Sequence, residues 1–347
     1  MSLTIGSHTL QNCVMLAPMS GISDLPFRRA CAAAGAGLVV SEMVASEDLA
    51  RERPDTVLRA ALDNYDGPKV VQLAGREARW MGEGARLVEA MGADIIDINM
   101  GCPARRVTGQ LSGSALMRDL DHALGLIEAV IANASVPVTL KMRLGWDHDS
   151  LNAPELAQRA EAAGVRLVTV HGRTRQQFYT GQADWAAIAP VKQAVRIPVI
   201  ANGDIYDVAS ARAALAASGA DGVMIGRAAE GRPWLPGAIG EALKTGGEMI
   251  VPDAQAQAAA VIALHRDTVE HYETRHQLSA AAGRALGLKT ARKHLAAFAD
   301  HCPVPLSDEE RRAYRGALCR SSSPTEIEAL LQRLAAGTPL PEGRVAA

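Results

Sequence analysis

The sequence predicts an α/β chain, a (β/α)8 TIM barrel followed by a small C-terminal all-α helical domain. Short β-branched runs alternate with longer alanine-rich helical patterns as far as about residue 245. The apolar runs are continuous rather than alternating, as in a parallel sheet covered on both faces. Beyond residue 250 no strand pattern recurs. Eight strand–helix units in about 245 residues match the count and length of such a barrel. A doubly wound sheet is the runner-up, weakened because no GxGxxG follows the first strand.

In chain order the strands are expected at Val14–Ala17, Leu38–Ser41, Lys69–Leu73, Ile95–Asn99, Val136–Lys141, Leu167–His171, Ile197–Asn202 and Gly222–Ile225. Helical patterns between them include Ala78–Met91, His122–Asn133, Pro154–Ala163, Trp185–Ala194 and Val208–Ser218. Gly92, Gly164 and Gly219 sit where helix C-caps fall, just ahead of the next strand. Gly246-Gly247 and Pro252 mark a linker. Helices are then expected near Asp253–Tyr272, Gly283–Phe298, Ser307–Ala317 and Pro324–Ala336, the last two opened by Ser at the cap and Glu in the first turn. The expected domains are a barrel over 1–245, a small helical domain over 250–336 and a flexible tail over 337–347.

The chain has 347 residues, 48% hydrophobic and 21% charged, with formal net charge −2. That balance describes a globular protein with a sizeable core and excludes one that coats nucleic acid through bulk charge. The five cysteines (Cys13, Cys31, Cys102, Cys302, Cys319) contain no CxxC, which favours a reducing compartment and disfavours a structural metal. No apolar run reaches the roughly 18 residues of a membrane span, and no charged-then-apolar leader is visible. A cytoplasmic enzyme, monomeric and without a membrane or protein partner, is the expectation.

In a barrel of this kind the chemistry lies at the C-terminal ends of the strands. Those ends read Ala17-Pro18-Met19-Ser20-Gly21, Ser41-Glu42-Met43, Gln72, Asn99 with Cys102, Lys141 with Arg143, His171 with Arg173 and Arg175, Asn202-Gly203-Asp204 and Gly226-Arg227. Nearly every one carries a polar or charged group, and burying such groups costs free energy unless they share a polar ligand. Lys141, emerging from an apolar strand, needs an anion or a job. Glycines after the seventh and eighth strands let backbone N–H groups approach a phosphate, with Arg227 supplying charge. Flavin mononucleotide fits, having one phosphate and a ring edge that takes negative charge when reduced. A sugar phosphate, a pyridoxal Schiff base at Lys141 or an aldolase lysine would also fit.

The motifs then narrow the choice. APMSGISD at 17–24, SEM at 41–43, DINMGCPARRV at 97–107, VHGRTR at 170–175, IANGDI at 200–205, MIGRA at 224–228 with GRPW at 231–234, and ARKH at 291–294 together resemble the tRNA-dihydrouridine synthases, most closely the bacterial B-type branch. The resemblance covers about residues 10–300. It implies that Pro18, Met19, Ser20, Gln72, Lys141, His171, Asn202, Gly203, Asp204, Gly226 and Arg227 hold FMN, with NADPH as reductant and tRNA as substrate. It also implies that Cys102 is the general acid and that the reaction saturates the 5,6 double bond of selected uridines, with position 17 suggested for this branch. Hydride arriving at C6 leaves charge towards C5 and O4, and an ordinary thiol, protonated at neutral pH, can supply C5 with its proton. Asn99 is placed to bind the uracil edge once the base is out of its stack. Arg105, Arg106, Arg143, Arg173, Arg175, Arg292 and Lys293 are the expected RNA contacts. Arg311, Arg312 and Arg315 read as a solvated helix face, and Tyr179 and Trp234 as the aromatics nearest the mouth. A flavin enzyme acting on a free pyrimidine, and an RNA chaperone that keeps the barrel without its chemistry, are the alternatives.

Overall fold

The computed structural model describes residues 3–104, 107, 111–274 and 278–340. These fall into two compact units, one within Met1–Ala228 and Pro236–Met249, the other within Ala229–Leu235 and Ile250–Ala347. The last part of the expected tail, 341–347, lies outside the described residues, as do Arg105 and Arg106.

The first unit is the expected barrel. An antiparallel hairpin, β1 (Leu3–Ile5) and β2 (His8–Leu10), precedes it. Eight parallel strands then close on themselves: β3 (Val14–Leu16), β4 (Leu38–Ala45), β5 (Lys69–Ala74), β6 (Ile95–Met100), β7 (Val138–Arg143), β8 (Val168–His171), β9 (Val199–Asn202) and β10 (Gly222–Ile225). Each overlaps an expected strand. Helices follow them: α1 (Leu25–Ala33), α2 (Ser46–Ala50), α3 (Pro54–Ala60), α4 (Ala78–Ala90), α5 (Leu120–Ile131), α6 (Ala153–Ala163), α7 (Ala189–Ala194), α8 (Val208–Ser218) and α9 (Leu235–Thr245). Gly164 and Gly219 cap α6 and α8 in the left-handed conformation, at φ 116° and 65°, which glycine adopts without a Cβ penalty.

The barrel interior is layered. At its N-terminal end Leu38, Ile95 and Leu167 meet Leu3, Ile5 and Leu10 of the hairpin, which plugs the opening. Gly6, at the hairpin turn with φ 58°, lies so near the start of β7 that a Cβ would stand 2.4 Å from Pro137. Met15, Val40, Val70, Ile200 and Met224 fill the middle. Side chains alternate along a strand, so the next inward positions towards the C-terminal end are Gln72, Asp97, Asn99, Lys141, Arg143, His171 and Asn202. On β5 to β9 the interior therefore turns from apolar to polar over one or two residues, while β3 and β10 stay apolar through Met15, Met224 and the Ala17 that follows β3.

The second unit is helical: α10 (Ala254–Thr274), α11 (Ala280–His301), α12 (Asp308–Arg320) and α13 (Pro324–Ala335). Its core gathers Val261, Leu295, Phe298, Tyr314, Leu318, Leu331 and Leu334 around Trp234. Trp234 is thus a packing residue of this unit. Ser307 and Glu310 form the capping box that opens α12. Arg311 is not a solvated residue: it donates to the carbonyls of Cys302 at 2.8 Å and Val304 at 2.6 Å, closing the chain beyond α11.

Candidate active site

Register builds the site. Gln72 and Thr139 both pair with Asp97 across neighbouring strands, Asn99 pairs with Lys141, and His171 pairs with Arg143 on one side and Asn202 on the other. All of them thus belong to one band near the C-terminal end of the sheet. Asp97 accepts from Gln72 Nε2 and Thr139 Oγ1, both at 2.6 Å. Gln72 Oε1 accepts from Asn99 Nδ2 at 2.8 Å, and Asn99 Oδ1 accepts from the backbone N–H of Cys102 at 3.1 Å. Burial pushes the Asp97 carboxyl up, opposed by its bonds to Thr139 and Gln72 and by the Lys141 charge.

Cys102 lies just past β6, partly exposed at the rim. Its carbonyl accepts from Ser114 N at 3.1 Å and Ser114 Oγ at 2.9 Å, so the loop is held on both sides of the thiol. Gly113 makes this approach possible: at φ 59° a Cβ there would come 2.8 Å from the Cys102 carbonyl oxygen.

Beside the thiol is a concentration of positive charge. Lys141 Nζ donates to Asn202 Oδ1 at 3.1 Å, and Asn202 Nδ2 to the Met224 carbonyl at 2.8 Å. Burial and the Arg143 charge pull the Lys141 ammonium down to about 8. Burial first, then Arg143, Lys141, Arg173 and Arg227, hold His171 well below the usual histidine range, so it is neutral at physiological pH. Arg227 is exposed and lies 4.9 Å from the ring centre of the half-exposed Tyr179.

Two loops complete the rim. Met19 N donates to Ser23 Oγ at 2.8 Å and Gly21 N to Glu42 Oε1 at 2.5 Å, so the loop after β3 is tied to the end of β4; Ser20 is exposed and Pro18 and Met19 are partly so. At the end of β9, Gly203 takes φ 113°, where a Cβ would come 2.7 Å from His171 Cδ2, and Trp185 Nε1 donates to the Gly203 carbonyl at 2.8 Å. Gly226, after β10, is roomier: a Cβ there would meet nothing nearer than Met19 Sδ at 3.8 Å.

Several expectations need correction. Arg143 and Arg173 are each only 2% exposed and serve the loops rather than RNA phosphates. Arg143 donates to the carbonyls of Gly101, Thr174 and Phe178 at 2.8, 2.8 and 3.0 Å. Arg173 makes a two-pronged pair with Asp204, at 2.6 and 3.1 Å, and donates to Gly181 O at 2.6 Å. The Asp204 carboxylate also accepts from Ala183 N at 2.7 Å, while its side chain stays 28% exposed. Gln72 has no exposed surface, and its amide is held between Asp97 and Asn99. Asn99 likewise spends its carboxamide on Gln72 and Cys102. Arg175 stacks on Trp146, 4.7 Å from its ring centre. Arg292 and Lys293 lie in the helical unit, lining a recess with Glu230, Ala296, Asp300 and Arg315.

Comparison with known proteins gives this site its context. The profile described as dihydrouridine synthase matches residues 15–335. The chain belongs to the dihydrouridine synthase family. A probable tRNA-dihydrouridine synthase of Rhodobacter capsulatus is 54% identical over 314 residues, 90% of this chain and 94% of that one. A probable tRNA-dihydrouridine synthase of Rhizobium leguminosarum bv. phaseoli is 47% identical, covering 93% and 95%. The tRNA-dihydrouridine synthase B of Pseudomonas syringae pv. tomato is 45% identical, covering 85% and 84%. Among solved structures, a 2-naphthoyl-CoA reductase complex superposes with TM-score 0.51 at 13% identity, covering 71% of this chain and 52% of that one. Histamine dehydrogenase from Rhizobium sp. 4-9 does so with TM-score 0.50 at 14% identity, covering 76% and 50%. Both share the barrel fold, as parts of longer chains.

For this dihydrouridine synthase family member, the sequence reading passed over Asp97, Thr139 and Glu42 as working residues. A signal existed for two of them: Asp97 stands two before Asn99 and Thr139 two before Lys141, so each shares the inward face of its strand. Among the described residues no group of three or more His, Cys, Asp or Glu could hold a metal, and no helix is long and apolar enough to cross a membrane.

Proposed function

We propose that this chain reduces the 5,6 double bond of selected uridines in tRNA, with FMN as bound cofactor and NADPH as reductant. The observation that carries it is the placement of Cys102 at the barrel rim, on a loop fixed by Asn99 and Ser114, in a site where the Lys141, Arg143 and Arg227 cations surround a neutral His171. The site fits FMN by the chemistry of its donors, since so much positive charge beside two committed carboxylates calls for an anionic ligand. Lys141 would face the ring edge that gains charge, with neutral His171 and Asn202 beside it. Arg227 and the backbone at Gly203, Asp204 and Gly226 would hold the phosphate, and Pro18, Met19 and Ser20 would border the ring. When bound and reduced, FMN supplies a hydride to C6 of the uracil. Cys102 delivers the proton to C5, and Gln72 and Asn99 support the loop that presents it. Arg105, Arg106, Arg175, Arg292 and Lys293 are the residues for phosphate contact with tRNA.

The family relatives named tRNA-dihydrouridine synthase favour this reading over a free pyrimidine as substrate. The test is spectroscopic: the purified protein with FMN is yellow, bleaches anaerobically on adding NADPH, and regains colour when tRNA lacking dihydrouridine is added. Recovery of colour with free uridine but not with tRNA would overturn it.

A further inference from the structure

The polar side chains beneath Cys102 form one chain of hydrogen bonds with a fixed direction. Asp97 accepts at both oxygens, from Thr139 and from Gln72. With its NH2 group so engaged, Gln72 turns Oε1 to accept from Asn99 Nδ2. That leaves Asn99 Oδ1 to accept from the backbone N–H groups of Cys102 at 3.1 Å and Gly101 at 3.3 Å. Asp97, Gln72 and Asn99 are 4%, 0% and 7% exposed, so a mismatch within the chain is not repaired by bulk water. A carboxylate only accepts, whereas an amide accepts at one end and donates at the other. The acceptor at the start therefore decides which way both amides face.

We propose that Asp97 is a positioning residue for Cys102: through Gln72 and Asn99 it sets the acceptor that holds the Cys102 N–H, and thereby the thiol at the rim. Its importance for the reaction rests on the proton-donor role proposed for Cys102. The hydrogen-bond direction stands apart from that role and is tested without turnover.

Asp97→Asn keeps the volume and breaks the direction. Thr139 is 4% exposed and donates its hydroxyl hydrogen to Asp97; keeping that hydrogen paired gives Thr139 the single oxygen of the new amide, so its NH2 faces Gln72, which must turn its oxygen towards it. Gln72 then offers its NH2 to Asn99, Asn99 answers with its oxygen, and the Asn99 NH2 is left against the Cys102 N–H, donor against donor. Asn99→Asp alone sets a carboxylate against Gln72 Oε1, and turning Gln72 only moves the conflict to Asp97. The double variant, Asp97→Asn with Asn99→Asp, reverses the middle of the chain and satisfies both ends. Its amide at position 97 accepts from Thr139 and donates to Gln72. Gln72 in turn donates to the carboxylate at position 99, which still accepts from the Cys102 N–H. A residue that merely fills space would show no such rescue.

The readout is backbone hydrogen exchange at Gly101 and Cys102, followed by mass spectrometry on the flavin-free and flavin-loaded protein. Each single substitution should speed exchange about tenfold or more, the scale of one lost buried hydrogen bond, and the double should return to within about threefold of the parent. Asp97→Asn should also slow uridine reduction at least about tenfold with flavin content unchanged, a loss in the proton-delivery range. If a single variant fails to fold, parent-like exchange in the folded double supports the relay, and a double that also fails to fold overturns it. Exchange in the double no slower than in the singles, or parent-like exchange in Asp97→Asn, overturns it as well. A parent protein that reduces no uridine would sink the proposed function and leave the exchange result to decide the relay.

Discussion

Lys141 offers the sharpest quantitative expectation. Its ammonium is held at about 8 by burial and by Arg143, with Asp97 and Cys102 opposing. At about pH 7 roughly nine in ten of these side chains carry the proton, and at about pH 9 roughly one in ten. If the charged form is the one that holds an anionic flavin, raising the pH strips the proton and weakens binding. The affinity of the flavin-free protein for FMN should then fall about tenfold from pH 7 to pH 9, with a limiting slope of one proton per flavin. Arg143 titrates higher, at about 10, and His171 is already neutral, so neither should add a second step in this window. Fluorescence titration of FMN at a series of pH values and constant salt gives the curve. Lys141→Met should bind weakly and flatly across the same range. An affinity unchanged within about twofold in the parent, or an equal fall in Lys141→Met, would refute the assignment.

Other expectations address the loops and the helical unit. Gly203→Ala adds a Cβ 2.7 Å from His171 at φ 113°, and should cost about 1–3 kcal/mol in denaturant unfolding while weakening FMN binding. Arg173→Ala leaves Asp204 without its guanidinium partner and should cost about 3 kcal/mol, at the lower end for buried pairs because Asp204 is 28% exposed; a midpoint shift worth less than about 1 kcal/mol would show the pair to be incidental. Arg292→Ala and Lys293→Ala should each weaken tRNA binding and reduce the salt-dependence slope by about 0.7–0.9, with FMN affinity unchanged, as measured by filter binding over a range of salt.

The barrel was legible because its determinants are local. Each of β3 to β10 is a short apolar run bounded by turn residues, and Gly164 and Gly219 occupy the expected left-handed caps. The hairpin β1–β2 was not anticipated, although Leu3, Ile5, His8 and Leu10 alternate about Gly6-Ser7; strands of three residues give too little pattern to read. The strand ends named the right neighbourhood but not the division of labour. Arg143 and Arg173 have the same chemistry whether they meet an RNA phosphate or a loop carbonyl, and only the fold shows Arg173 on Asp204 and Arg143 on Phe178 O. Gln72 and Asn99 were expected at a ligand from the strand-end pattern and the family resemblance, yet both amides also have a partner within the protein. Their chain of bonds starts at Asp97, whose side chain becomes visible only when inward positions on β5, β6 and β7 are compared by register.

The central claim is that Cys102 gives the proton that completes reduction of a uracil in tRNA. The direct measurement is a single turnover: the parent and Cys102→Ala, loaded with FMN and reduced by NADPH without oxygen, are mixed with tRNA from cells lacking dihydrouridine, and the product is counted by mass spectrometry. The parent should form dihydrouridine up to the amount of reduced flavin. Cys102→Ala should bind flavin and tRNA equally well and react about a hundredfold or more slowly. Equal rates in the two proteins, or no dihydrouridine from the parent, would contradict the account.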